Sequence, residues 1–185
     1  MSKESWKKSI TELVGFEGEV DTVLDVACGL SLRSKYIDAK VRVGVDIYPE
    51  YFKHIESDVP YAVVKGDVRK LNELFVSNSF DLVIALDIVE HLFKDEAIKM
   101  LEECEKIAKI AVIIETPLGY IPQNMDILGH GGHEYQTHRS GWTEEELQAL
   151  GYKTFVRDYA MQDVPRHTFI DVEPNIQLIE AIKYV

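Results

Sequence analysis

The chain has 185 residues, of which 46% are hydrophobic and 28% charged, and its formal net charge is −12. This length fits one domain with a sizeable core, and the composition is typical of a soluble globular protein. The acidic charge repels phosphate backbones and the sequence has no basic patch to offset it, so a nucleic-acid partner is not expected.

The N-terminal stretch MSKESWKKSITEL has basic residues but no apolar core, so we expect no secretory signal. No apolar run approaches the roughly 20 residues that a membrane-spanning helix needs. Cys28 falls in a predicted turn and Cys104 on a predicted helix, so a disulfide is not expected. These features predict a reducing, cytoplasmic location.

Seven apolar, β-branched runs predict strands, although the last also has a helical composition. They cover residues 22–26, 41–45, 61–64, 80–86, 110–115, 152–157 and 178–184. An apolar stripe predicts a helix over residues 95–109. A second helix begins after Thr143, with Glu146 completing a capping box and Gly151 closing the end. This alternation predicts an α/β fold with a doubly wound, mostly parallel sheet.

Acidic residues occur at the ends of the first three predicted strands, where ligands of such sheets bind. Asp25 precedes Gly29, a small residue that lets a ligand approach the backbone. Asp46, at the end of the second strand, is suited to accept hydrogen bonds from ribose hydroxyls, and Asp67 to accept one from an adenine amine. Capping of the next helix explains any one of these acids equally well, but the series favours a nucleoside site.

The order VLDVACG, GVDIY, KGDV, FDLVIALDIVEHL and IIETPLG resembles the class I S-adenosylmethionine-dependent methyltransferases over about residues 20–157. The resemblance implies a Rossmann-like fold, with seven strands and helices on both faces of the sheet. It also implies a cofactor pocket built by eight residues. They are Asp25, Ala27 and Gly29 beside the methionine moiety, Asp46 and Ile47 at the ribose and adenine, Asp67 and Val68 at the adenine edge, and Leu86 against the adenosine.

The glycines depart from the family pattern. Where the family has D-x-G-x-G-x-G, this chain has Asp25, Ala27, Gly29 and Ser31. Ala27 is small, and Ser31 is still able to cap the following segment. A nicotinamide dinucleotide is disfavoured because its pyrophosphate needs G-x-G-x-x-G. A sulfonium cofactor has no pyrophosphate, and its positive charge suits an acidic pocket.

After Leu86 the sequence reads DIVEHL. If this turn is helical, Asp87, Glu90 and His91 share one face and project toward the methyl group. The stretch resembles two metal-assisted branches of the family, the O-methyltransferases of ubiquinone biosynthesis and the enzymes that methylate the 3′-terminal ribose of small RNAs. Both branches carry the motif E-x-x-E-H. This chain has D-x-x-E-H, with Asp87 at the position of the first Glu. The two acids are also explained by a helix start, and His91 by a buried histidine or a direct general base.

The small-RNA enzymes have a further ligand histidine four residues before a tryptophan, as His138 lies before Trp142. The resemblance thus implies a candidate catalytic and metal site of mixed oxygen and nitrogen donors, suited to Mg²⁺, Mn²⁺, Fe²⁺ or Zn²⁺. Its members are Asp87, Glu90, His91 and His138. A metal there would lower the pKa of an acceptor hydroxyl. Many relatives with the same Glu-His pair need no metal, so the metal is a hypothesis.

We assign residues 1–185 to one domain, with an N-terminal helix or lid over 1–20 and a long active-site loop over 116–142. Loops above roughly 15 residues in compact domains are usually functional or disordered, and we predict that this one closes the acceptor side. Its Tyr120, Tyr135 and Trp142 are suited to substrate contact or, equally, to packing at the sheet edge. Neighbouring glycines predict a flexible lid around His130 and His133.

Together these features predict an S-adenosylmethionine-dependent methyltransferase. A hydroxyl acceptor is favoured because His91 is suited to deprotonate it, while nitrogen and carbon acceptors stay open. A small molecule or a terminal group is favoured over a polymer, because little chain is left to build a larger site. The alternative is a non-catalytic methyltransferase-like binding or scaffold protein, which the reduced glycine motif permits.

Overall fold

A computed structural model describes residues 10–13, 15–17, 19–57, 59–160 and 175–185. They contain a seven-stranded sheet in the order β3-β2-β1-β4-β5-β7-β6. The strands are β1 (Thr22–Val26), β2 (Val41–Asp46), β3 (Tyr61–Lys65), β4 (Phe80–Leu86), β5 (Ala108–Pro117), β6 (Lys153–Ala160) and β7 (Asn175–Tyr184). The first five pair in parallel, whereas β7 runs antiparallel to both β5 and β6. The seven predicted strands and the mostly parallel sheet are therefore confirmed, with small shifts in strand boundaries.

Four α-helices lie in the described ranges, namely α1 (Ile10–Leu13), α2 (Leu71–Leu74), α3 (Lys94–Ile107) and α4 (Glu144–Ala149). None of these helices has the length and apolar character that a membrane span requires. Helix α3 ends two residues before the prediction, because β5 already begins at Ala108. The predicted capping box of α4 is confirmed. The Thr143 hydroxyl accepts from the Glu146 N–H at 3.3 Å, and the Glu146 carboxylate accepts from the Thr143 N–H at 3.0 Å.

The two faces of the sheet are covered differently. On one face, α3 and α4 bury side chains such as Met100 and Leu147 against the strands. On the other, Ile10 of α1 and Ile37 cover the sheet. We expected a helix directly after β1, but the described structure has only a 3₁₀ turn at Ser34–Tyr36. Left-handed residues in the preceding loop keep the start of this connection out of helical backbone. Residues 1–9 of the predicted N-terminal helix or lid lie outside the described residues.

A buried charge network joins the antiparallel part of the sheet to the loop after β1. Glu115 on β5 lies directly opposite Glu180 on β7, and both are fully buried. Two like charges in opposite positions destabilise a sheet. Arg33 offsets this by donating to the two Glu115 oxygens at 2.5 and 2.9 Å, while Arg157 bonds Glu180 and lies 3.7 Å from Glu115. The network thus pairs two carboxylates with two guanidinium groups.

We predict that Arg157→Met lowers the free energy of unfolding by about 3 kcal/mol, the lower end for breaking a buried ion pair. The lower end applies because the Arg157 side chain keeps 32% exposure. Urea unfolding measures the change. Lys153→Met, an exposed charge removal on the same strand, should change it by no more than about 0.5 kcal/mol. Adding Glu180→Gln to the Arg157 variant should recover part of the loss, and no recovery would contradict the pairing.

Candidate functional site

The carboxyl ends of β1, β2, β4 and β5 open into one cavity of about 700 Å³. Strand β1 has β2 on one side and β4 on the other, so the strand order changes direction at this point and leaves a crevice. All twelve residues predicted for the cofactor and catalytic sites line this cavity. They are Asp25, Ala27, Gly29, Asp46, Ile47, Asp67, Val68, Leu86, Asp87, Glu90, His91 and His138.

The loop after β1 has left-handed backbone at each position where the family pattern has glycine. The φ angles are 56° at Ala27, 48° at Gly29 and 56° at Ser31. This conformation costs a non-glycine residue roughly 1–2 kcal/mol. At Ser31 the side chain offsets the cost, because its hydroxyl donates to Asp25 Oδ2 at 2.9 Å and bonds the Ser34 hydroxyl. Ala27 has no such compensation, so its strain is retained in the folded chain.

Asp25 and Asp46 hold the two sides of this loop. Asp46 Oδ2 accepts from the Gly29 N–H at 2.9 Å and Oδ1 from the Tyr48 N–H at 2.8 Å, which ties the end of β2 to the loop after β1. Burial raises the pKa of Asp46, against these hydrogen bonds. Burial likewise raises the pKa of Asp25 to about 6, against hydrogen bonds from Ser34, Ser31 and Tyr61. The carboxylates are thus fixed in place before any ligand binds.

Asp67 is already engaged by the chain. It accepts from the Arg69 N–H at 3.0 Å and from the Arg69 guanidinium, and the side-chain hydrogen bond is the main cause of its lowered pKa. Arg69 also bonds Glu96 on α3 at 3.0 Å. An adenine amine would therefore share Asp67 with this arginine. The sequence pattern identified the acid but not its partner.

The turn after β4 differs from the helical face that the spacing predicted. Asp87 has left-handed backbone with φ of 54°, and only Val89–His91 form a 3₁₀ turn. The prediction of a shared helical face is wrong because Asp87 lies outside the turn, where its N–H donates to the Glu115 carbonyl at 2.9 Å. Its carboxylate opens into the cavity and has no hydrogen-bond partner in the described ranges. Desolvation at the wall of the cavity, with the nearby Glu115 charge, raises the pKa of Asp87 to about 7, although the residue stays exposed to the solvent that fills the cavity.

Glu90, His91 and His138 form a buried cluster whose donor atoms lie within 4.8 Å of one another. Glu90 Oε2 accepts from the Thr116 hydroxyl at 2.8 Å, and His138 Nδ1 lies 2.6 Å from the Ile121 carbonyl. Nδ1 therefore carries the proton of a neutral His138, which leaves Nε2 as an acceptor. The His91 ring meets that of His138 edge-on with centroids 4.6 Å apart.

The protonation states of this cluster follow from its burial. Burial, followed by the neighbouring Asp87 charge, raises the pKa of Glu90 well above its usual value. Burial lowers the pKa of His91 to about 3 and also lowers that of His138. His91 Nδ1 is buried without a hydrogen-bond partner in the described structure. Two neutral imidazoles and a carboxyl group are a donor set that fits a divalent metal. Asp87 is outside this set.

The long loop reaches both ends of the cavity rather than the acceptor side alone. The Asp126 carboxylate accepts N–H bonds from Leu128, His130 and Gly132 at 2.7–2.9 Å. The Tyr48 hydroxyl donates to the His130 carbonyl at 2.8 Å, beside the cofactor end. These bonds hold the loop in a defined turn.

The individual side chains of the loop have different roles. The His130 ring stacks on His54 with centroids 4.1 Å apart, and His133 Nδ1 accepts from the Asp126 N–H at 3.0 Å. Trp142 is buried and donates to Ser140 Oγ at 3.1 Å, so packing is its observed role. Tyr120 is 59% exposed.

Backbone bonds from the end of the loop also support the turn after β4, Val89–His91, and sequence reasoning missed these bonds. The N–H groups of Arg139 and Ser140 donate to the Glu90 carbonyl at 2.7 and 3.1 Å, and Ser140 Oγ donates to the Val89 carbonyl at 3.1 Å. No periodicity relates positions this far apart in the chain. The pattern HRSGW indicated the segment but not these contacts.

We predict that Ala27→Gly raises the free energy of unfolding by about 1 kcal/mol, because glycine adopts φ of 56° without the Cβ penalty. Thermal or urea unfolding of the two proteins measures the change. Ala62→Gly, at an exposed strand position without positive φ, should instead lower stability slightly. A loss of stability in both variants would contradict the left-handed assignment.

Comparison with known proteins finds a family model that matches the first part of the sheet. Residues 24–113 match the family model of a methyltransferase domain. No curated protein matches the sequence. The matched stretch begins within β1 and ends within β5. It therefore contains the carboxyl ends of β1 to β4, which are followed by residues that line the cavity.

Solved structures share the fold across nearly the whole chain. A SAM-dependent methyltransferase from Archaeoglobus fulgidus is 20% identical, with 98% of this chain and 95% of that chain covered and a TM-score of 0.60. Magnesium protoporphyrin IX methyltransferase from Synechocystis PCC 6803, solved with bound SAM, is 15% identical over 98% and 79% of the chains, with a TM-score of 0.58. The methyltransferase domain of bacterial CtHen1-CN is 15% identical over 90% and 91%, with a TM-score of 0.57. The match to a methyltransferase domain over residues 24–113 and the fold shared with SAM-dependent methyltransferases together support a class I S-adenosylmethionine-dependent methyltransferase.

Proposed function

We propose that this protein transfers a methyl group from S-adenosylmethionine to a hydroxyl of a small molecule or of a terminal group. One observation carries the proposal. One cavity is lined by the Asp46 carboxylate at the end of β2 and by the cluster of Glu90, His91 and His138. Glu90 and His91 belong to the turn after β4, and His138 to the long loop after β5. A nucleoside site and a group able to handle an acceptor hydroxyl therefore open onto the same space. A reducing, cytoplasmic location is proposed as well, supported by Cys28 and Cys104 as buried free thiols.

At the cofactor end, Asp46 would bind the ribose hydroxyls with the carboxylate lone pairs that the Gly29 and Tyr48 N–H groups leave available. Ile47 and Leu86 would contact the adenine, and Asp67 would accept its amine. The remaining contacts, from Asp25, Ala27, Gly29 and Val68, follow the family pattern. The Synechocystis relative was solved with SAM bound, which supports this choice of cofactor.

At the acceptor end, the pKa values distinguish Asp87 from His91. A pKa of about 3 makes His91 a weak base, whereas the pKa of about 7 at Asp87 is near the optimum for proton removal at neutral pH. We therefore assign the hydroxyl proton to the Asp87 carboxylate and the orientation of the acceptor to the neutral imidazoles of His91 and His138. When bound, S-adenosylmethionine would supply a sulfonium-activated methyl group for the acceptor oxygen, with neutral S-adenosylhomocysteine as the leaving group.

A non-catalytic, methyltransferase-like binding protein is the second candidate. The uncompensated left-handed Ala27 favours it, because a strained loop raises the free energy of the binding-competent state. The two candidates differ in whether S-adenosylmethionine binds and in whether S-adenosylhomocysteine is released when hydroxyl compounds are screened as acceptors.

We predict that Asp46→Ala weakens S-adenosylmethionine binding by more than about tenfold, since the hydrogen bonds to a charged acceptor are lost. Isothermal titration calorimetry measures the affinity. Asp38→Ala removes an exposed carboxylate that does not line the cavity and should leave the affinity unchanged. An unchanged affinity in Asp46→Ala would show that the ribose lies elsewhere. Absence of binding by the wild type at millimolar cofactor would favour the second candidate.

A divalent metal at Glu90, His91 and His138 is proposed as an aid to the reaction. The unpartnered His91 Nδ1 and the free Nε2 of His138 support it. The metal would supply a Lewis acid that lowers the pKa of the acceptor hydroxyl. The structure narrows the sequence hypothesis, because Asp87 does not belong to the cluster of donor atoms.

We predict that Co²⁺ binds the wild type stoichiometrically, seen as visible d–d absorption and by equilibrium dialysis, and that His138→Ala and Glu90→Gln lose it. Asp87→Asn should retain the metal because its carboxylate lies outside the cluster. Loss of Co²⁺ in Asp87→Asn would restore the four-residue site, and no binding by the wild type would remove the metal proposal. Neither result tests the methyltransferase proposal, which the titration with S-adenosylmethionine tests separately.

A further inference from the structure

Arg139 differs from the other arginines that line the cavity in having no acidic partner among the residues that the structure describes. Arg33 is held by Glu115, and Arg69 by Asp67 and Glu96. The Arg139 guanidinium instead donates from Nη1 to the His91 carbonyl at 2.9 Å and from Nη2 to the Glu134 carbonyl at 3.3 Å. No lysine lines the described cavity. Because carbonyl groups carry no net charge, these two hydrogen bonds do not neutralise the Arg139 guanidinium.

The position of Arg139 is fixed relative to the turn after β4. Its own N–H donates to the Glu90 carbonyl at 2.7 Å, and its guanidinium bonds the carbonyl of His91. It directly follows His138, whose ring meets the His91 ring. Its charge is close enough to contribute to the lowered pKa of His91. A group bound by Arg139 would therefore hold the rest of its molecule beside the Glu90, His91 and His138 cluster.

Phe93 adds an apolar surface at the same place. Its side chain is 57% exposed, although it is a large hydrophobic group on the wall of the cavity. The Arg139 guanidinium lies 5.9 Å from the centre of its ring, an arrangement that restricts the arginine side chain. Leu92, Ile121 and Leu178 extend the apolar wall. A molecule that covered Phe93 would bury apolar surface next to a fixed cation.

The surrounding charges make this arginine selective. The protein has a net charge of −12, and carboxylates such as Asp87 line the cavity. The Glu134 carboxylate, on the same wall, raises the pKa of the neighbouring Tyr135 hydroxyl. An anion in this cavity would be repelled by such carboxylates and attracted to Arg139, whose fork of N–H donors matches carboxylate and phosphate oxygens.

We propose that Arg139 binds an anionic group of the acceptor, so that the acceptor is a hydroxyl compound with an apolar body and a carboxylate or phosphate. This inference rests on the proposed function, since it concerns the same cavity. The anion sits at Arg139, the apolar body on Phe93, and the hydroxyl at the turn after β4. No contact from the cofactor to Arg139 is required.

Matched probes test the proposal. The protein, with and without saturating S-adenosylhomocysteine, is titrated with 4-hydroxybenzoate, 4-hydroxyphenyl phosphate and the neutral 4-hydroxybenzamide by ligand-observed NMR. We expect at least one anionic probe to bind about tenfold tighter than the amide, as for a charge-assisted hydrogen bond. The benzoate and phosphate arms identify which anion is preferred. Arg139→Gln should abolish the preference, and Arg139→Lys should keep part of it.

Lys99→Gln, which removes one exposed positive charge outside the cavity, is the matched control and should keep the preference. Equal binding of the amide, binding of none of the probes, or an unchanged preference in Arg139→Gln would overturn the proposal. So would a weaker S-adenosylhomocysteine affinity in Arg139→Gln and Arg139→Lys, because Arg139 would then hold the cofactor. Failure of the wild type to bind S-adenosylhomocysteine counts against the proposed function alone, since the probes are also titrated without it. Circular dichroism confirms that each variant is folded.

Discussion

The site depends on the parallel pairing of β1 with β4. In this register Val26 lies beside Ala85, so the two strands end at the same level and the loops that follow them emerge side by side. The first residue after each strand region, Ala27 or Asp87, has left-handed backbone. Both segments of the chain therefore turn sharply where the strand order reverses, and a crevice opens between them. The loop after β1 and the turn after β4, which are far apart in the chain, become two walls of one cavity.

Burial then sets the charge of the acceptor end. The same low-polarity surroundings favour the neutral forms of Glu90, His91 and His138. Asp87 is an intermediate case because its carboxylate opens into the cavity and its pKa is near neutrality. Under the proposed function, an acceptor hydroxyl would meet neutral donors and acceptors beside one group able to take a proton. The uncompensated charge of Arg139 stands out against this background, which is why an anionic acceptor group would be oriented rather than merely attracted.

The antiparallel end of the sheet contributes through Glu115. Its carboxylate is held between Arg33 of the cofactor loop and Arg157 of β6, and its carbonyl accepts the Asp87 N–H. One residue of β5 therefore connects the loop after β1, the turn after β4 and the β6–β7 pair. The strained conformation at Asp87 persists because this surrounding structure over-determines it. The cost of burying two opposed glutamates is offset by the paired arginines rather than by exposure to water.

The sequence predicted the features of the fold that depend on neighbouring residues. Runs such as FDLVIAL predicted strands, and Thr143 with Glu146 predicted a helix start, because periodicity and capping are decided by neighbours within a few residues. The acids at the strand ends predicted the position of the cavity, because ligands of such sheets bind at the carboxyl ends of the strands. Their roles toward a cofactor stay predictions.

Tertiary structure alone decided which of these side chains meet. In the described part of the chain, it removed Asp87 from the donor cluster, placed Glu115 opposite Glu180, and gave Arg139 carbonyl rather than acidic partners. Such relations depend on register and on loop paths between segments far apart in the chain. The amino-acid order by itself therefore predicted the strands, the helix cap and the acids at the strand ends, and the family resemblance added the other residues at the cavity. The fold determined their distances, burial and charge states, because desolvation and Coulomb interactions act through space rather than along the chain.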